Sequence, residues 1–70
     1  MPEPRTMRRK AHELRENDRY RYHNDWYLTR NTTPLQASFL LPADDPHGHP
    51  GGMASKLPTN DDSVDVFLAD

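Results

Sequence analysis

The apolar positions along this chain change their spacing twice, and each change predicts a different element. In residues 7–18, Met7, Ala11 and Leu14 fall on one narrow stripe if each residue advances by about 100°. Thr6 stands before them as an N-cap, so the spacing predicts an amphipathic helix over 7–18. Arg8, His12, Arg15 and Arg19 form a second, basic stripe roughly 110° round the same axis. Glu13 and Glu16 lie on the far side, and "END" at 16–18 ends the helix.

From Tyr20 the period becomes two. Tyr20, Tyr22, Trp26 and Leu28 occupy even positions, and aromatic residues favour strands. "HND" at 23–25 is read as a bulge in one bent strand over 19–29, with a tight turn as the alternative. "NTTP" at 31–34 is a turn signal. "LQASFLL" at 35–41 follows as a second strand, with Leu35, Ala37, Phe39 and Leu41 on one face. The pattern therefore predicts an α+β head over residues 1–41, one N-terminal helix packed on a small antiparallel β-hairpin. Met7, Ala11, Leu14, Trp26, Leu28, Leu35, Ala37 and Phe39 form its expected core.

Pro42 stops the second strand. Residues 42–63 hold prolines at 42, 46, 50 and 58 and all three glycines. So little apolar surface predicts a disordered linker. Residues 64–70 form an acidic–hydrophobic tail segment in which Val64, Val66, Phe67 and Leu68 stand among acids. This patch is expected to be either a docking motif or an edge strand returning to the hairpin.

Composition sharpens the picture. Seventy residues with 33% hydrophobic content make at most one small domain. There is no cysteine, hence no disulfide and no thiolate metal site. Residues 1–20 contain no apolar run, so no secretory signal is expected, and no stretch would span a bilayer. The net charge of -2 is divided unevenly: residues 1–30 hold eight Arg/Lys against five Asp/Glu, and residues 31–70 hold one lysine against six acids. Such asymmetry indicates two jobs, or one job that needs opposite surfaces. Arginine interleaved with tyrosine and tryptophan suits an acidic protein surface, or phosphates and bases; the alternative is that the rings fill the core of a small domain while the arginines are solvated. Arg8, Arg9 and Lys10 would sit in the first helical turn, where the macrodipole disfavours cations. Arg8, Arg9, His12, Arg15, Arg19 and Tyr27 are the candidate partner-binding residues. Val64, Val66, Phe67 and Leu68 are the candidate tail motif.

The remaining chemistry is sparse. His47 and His49 could ligate a metal, but a stable site needs three or four fixed ligands, so neither metal nor cofactor is expected. His23 and Asp25 could orient one another, yet no activated nucleophile accompanies them, and enzymatic activity is not expected. "SVDVF" at 63–67 resembles peptides that dock into bacterial sliding clamps. Ser63 stands where glutamine is usual, and Val64 and Val66 replace leucines.

Small size, absence of cysteine, a basic–aromatic head and an acidic tail together resemble the small host-takeover proteins of lytic bacteriophages. The closest likeness is to regulators, of the type found in a Xanthomonas phage, that bind host RNA polymerase. The resemblance covers overall make-up and no motif. It implies a monomer that binds the largest polymerase subunits, with other transcription factors as further partners, in the cytoplasm of the infected bacterium. It implies inhibition of initiation through σ displacement, and antitermination. The alternatives are a nucleic-acid-binding module, or an inhibitor of another bacterial machine such as a CRISPR effector or the sliding clamp.

Overall fold

The computed structural model describes residues 4–32, 35–42, 45–54 and 56–68, with only the backbone for 31–32 and 35–37. The fold is a six-stranded antiparallel sheet. Its strands are β1 (Thr6–Lys10), β2 (Arg19–Tyr22), β3 (Asp25–Thr32), β4 (Leu35–Leu40), β5 (Gly52–Met53) and β6 (Ser63–Phe67). They lie side by side in the order β1-β6-β2-β3-β4-β5. Strands β2 to β5 form a meander, and β6 inserts between β1 and β2.

This corrects the expected fold class. Residues 7–18 form no α-helix: they give β1, a 3-10 turn at Ala11–Glu13 and a tight turn at 15–18. Ala11 and Leu14 are buried as expected, but Met7 is 45% exposed. The physical reason is the ladder that β6 offers. All five residues of β1 pair with β6, from Thr6 opposite Phe67 to Lys10 opposite Ser63. Against that, a helix would have started with three cations facing its own dipole.

The aromatic stretch is also not one bent strand. His23 and Asn24 have φ of 52° and 68°, both in the left-handed region. Two such residues make the tight turn that suits a hairpin's twist. Tyr22 therefore faces Asp25, and Tyr20 faces Tyr27. The hairpin of β3 and β4 agrees with the sequence pattern, with Leu28 opposite Phe39. Thr33 and Pro34 of the expected turn lie outside the described residues, as do the side chains of Leu35 and Ala37.

Both faces of the sheet are covered. On one, Tyr20, Tyr27, Val64 and Val66 pack with Ala11 and Leu14. The Tyr20 hydroxyl donates to Ser38 Oγ at 2.9 Å, and the Tyr20 and Tyr27 rings stack with centroids 5.3 Å apart. Beside Ser38 in the register lies Thr29, whose buried Oγ1 has no hydrogen-bond partner among the described residues. On the other face, Trp26, Leu28 and Leu41 are buried, with Phe67 set edge-on to Trp26.

The stretch expected to be a disordered linker crosses both faces. Arg19 Nη1 donates to the carbonyls of Pro46 (2.6 Å) and Gly48 (2.8 Å), tying residues 46–48 over the tryptophan face. Gly48 fits because a Cβ there would meet Pro42 Cδ at 2.5 Å. Farther on, Ala54 packs against the tyrosine face and donates its N–H to the Ser38 carbonyl at 3.0 Å. Pro46 and Pro58 are buried. The expected tail is β6 itself, an interior strand with Val64 and Val66 in the core.

Candidate functional site

Alternation along β1 sends successive cations to opposite sides of the sheet. Arg8 stands opposite Asp65 of β6, and Asp65 in turn stands opposite Arg21 of β2. Residues directly opposite in an antiparallel pair share a face. The row Arg8–Asp65–Arg21 thus crosses three strands with two cations and one anion. Arg8 Nη1 lies 3.3 Å from Asp65 Oδ1, and both side chains remain open to solvent. A pair so exposed adds little stability.

Around this row lies a shallow groove of about 550 Å³, lined by Arg8, Arg21, Tyr22, His23, Asn24, Ser63, Val64 and Asp65. The hairpin turn forms its far wall, where the Tyr22 and His23 rings meet edge-to-face at 4.2 Å. Tyr22 donates its hydroxyl to Asp62 Oδ2 at 3.3 Å. Partial burial, then the Asp62 charge, raises the Tyr22 pKa. Asp62 also accepts from the Thr59 backbone N–H, which holds its carboxyl below the usual range.

A second groove of about 290 Å³ is lined by Arg9, Glu13, Arg15, Asp18, Val66, Phe67 and Leu68. Here the local sequence fixes its own turns. The Arg15 backbone N–H donates to Asp18 Oδ2 at 2.8 Å, closing the 15–18 turn. Glu13 Oε1 accepts the Lys10 backbone N–H at 3.0 Å, and that bond is the main cause that lowers the Glu13 pKa.

The candidate residues from sequence thus separate. Arg8 lines the first groove; Arg9, Arg15, Val66, Phe67 and Leu68 meet at the second. His12 is exposed and its Nδ1 lies 3.0 Å from the Asn60 carbonyl. Arg19 is turned inward as a staple on residues 46–48, and Tyr27 is buried in the tyrosine face. Val64 and Val66 are core residues, Phe67 is sandwiched between Trp26 and His47, and Leu68 is 37% exposed. The single basic helical stripe does not exist, because residues 8, 12, 15 and 19 lie on a strand, a 3-10 turn, a tight turn and another strand.

Sequence reasoning missed Arg21, Asn24 and Asp65, and weighed His23 only as a partner of Asp25. The alternation of Arg19 and Arg21 with tyrosines signalled Arg21. Asn24 in a two-residue loop signalled the turn. Asp65 could be found only by knowing that β6 pairs with β1. Among the described residues no three of His, Asp and Glu come together as metal ligands, and no helix is long and apolar enough to cross a membrane. No protein-family model, curated protein or solved structure matches this chain.

Proposed function

We propose that this is a non-enzymatic binding protein whose basic β1 region docks on an acidic surface of a bacterial machine, the host RNA polymerase of an infecting phage. One observation carries the binding reading. Arg5, Arg8, Lys10 and Arg15 stand exposed on and around one sheet edge, where Arg8 bridges to Asp65 at 3.3 Å. Solvent-exposed cations clustered in this way steer and orient an anionic partner. The polymerase is the partner that the chain's overall make-up suggests. Binding to its largest subunits in the bacterial cytoplasm would inhibit initiation through σ displacement and favour antitermination.

The test is capture from bacterial lysate with the full chain, followed by a reconstituted transcription reaction. Wild type retains polymerase and lowers promoter-dependent initiation. The Arg8→Glu, Arg15→Glu variant keeps its thermal midpoint but loses both effects. Tight DNA binding with a steep logarithmic salt dependence, and no polymerase retained, would place the chain with nucleic-acid binders instead.

A further inference from the structure

The hydrogen bonds at the two ends of β1 fix which of its backbone groups are used. Leu68 N–H donates to the Arg5 carbonyl and Ala11 N–H to the Asp62 carbonyl, both at 2.8 Å. In an antiparallel ladder, bonded pairs recur every second residue. Arg5, Met7, Arg9 and Ala11 therefore turn their N–H and C=O towards β6. Thr6, Arg8 and Lys10 turn theirs the other way, off the sheet, because β1 is an edge strand. Lys10 shows what that edge accepts: its outward N–H is already bonded by the Glu13 carboxylate. Among the described residues nothing pairs with the outward groups of Thr6 and Arg8.

We infer that the outer edge of β1 receives an extended acidic segment of a partner protein by strand addition. This deepens the protein-binding reading above and rests on it. Charge selects the occupant. On its inner edge β1 already holds β6, in which Asp65 stands between Val64 and Val66 and lies opposite Arg8. An added strand of the same pattern would place a carboxylate beside Arg8 on the same face while its backbone satisfies Thr6 and Arg8. A second copy of this chain is the wrong occupant. A two-fold antiparallel pairing centred on residue 7 sets Arg5 against Arg9. Centred on residue 8 it sets Arg8 against Arg8, and centred on residue 9 it sets Arg8 against Lys10. Like charges directly opposite repel. The cations that prevent self-pairing of this edge thus select an anionic strand.

The probe is a blocked peptide of about seven alternating aspartates and valines, long enough to span β1. Amide hydrogen exchange read by NMR gives the expected result in two steps. In the free chain Thr6 and Arg8 exchange fast while Met7 and Arg9 are protected. With the peptide, Thr6 and Arg8 become protected as well. Arg8→Glu weakens the peptide about tenfold, and a lysine–valine peptide gives no protection. The inference is overturned if the free chain already protects Thr6 and Arg8 as a sedimenting dimer. Protection confined to residues away from β1 overturns it too, as does equal protection by a single-stranded DNA oligomer. Polymerase captured by a chain whose edge ignores the peptide removes strand addition and leaves the binding reading. Peptide protection without polymerase capture keeps strand addition and removes the polymerase.

Discussion

The two faces of the sheet are sealed by different physics. The tryptophan face buries only apolar side chains: Trp26, Leu28 and Leu41 are closed over by residues 46–48, to which Arg19 is hydrogen-bonded. The tyrosine face carries polar atoms into its interior, where the Tyr20–Ser38 hydrogen bond is satisfied and the Thr29 hydroxyl is not. The first face gains its stability from area removed from water, about 25 cal/mol per Å². The second gains less per residue and is specified more narrowly, because each buried polar atom needs one partner in one geometry. A chain with a mean hydropathy of -1.08 has too few aliphatic side chains for two apolar faces. Tyrosine and serine complete the second.

Breaking the apolar face has the largest expected effect. Trp26→Ala leaves a large void at a site only 2% exposed. It should cost roughly 3–5 kcal/mol, enough to unfold so small a domain, as a urea melt would register. Releasing its cover comes next. Arg19→Ala removes two charge-assisted bonds to backbone carbonyls and should cost about 1.5–3 kcal/mol. Hydrogen exchange should then quicken at Gly48 while the β2–β3 hairpin stays protected. Unchanged exchange there would show that apolar packing alone holds the cover.

The polar face answers to pH. Burial pushes the Tyr20 hydroxyl up to about 12, with the bond to Ser38 acting against that rise. A folded pKa above the unfolded value of about 10 means that this contribution is intact below pH ~10. It is lost as pH rises from there to about 12. A thermal midpoint that falls over that window in wild type, and less in Tyr20→Phe, would confirm the assignment. The smallest effect is at Thr29. Thr29→Val replaces an unpaired buried hydroxyl with a methyl of similar volume and should raise stability by about 1 kcal/mol or less. A loss instead would mean that the hydroxyl is bonded in solution.

Legibility in the sequence followed the range of the interaction. The β3–β4 hairpin was readable because alternation and turn lie within one short window. Trp26 was correctly assigned to the core on the same reasoning. Tyr20 and Trp26 look like one face because both are even-numbered. The two-residue turn at His23–Asn24 sets Tyr20 opposite Tyr27, and so puts the two rings on opposite faces. Ala11 and Leu14 gave a helical spacing because a 3-10 turn also buries residues three apart. The decisive fact, that β1 pairs with β6, joins residues such as Arg8 and Asp65, which are 57 positions apart. No local pattern carries that information. The site inherits the same limit: single cations were legible, but the row Arg8–Asp65–Arg21 exists only once β6 is in place.

The position of β6 also governs the order of assembly. The meander from β2 to β4 closes through short loops and can form early. β1 joins the ladder through β6, so it must wait for a contact of very long sequence separation. Loop-closure entropy makes such contacts slow, and sheets dominated by them fold in milliseconds to seconds. On unfolding the sequence reverses: β1 peels away first as a local opening, while the hairpins persist. The strand that carries the cations is thus the last to be fastened and the first to let go.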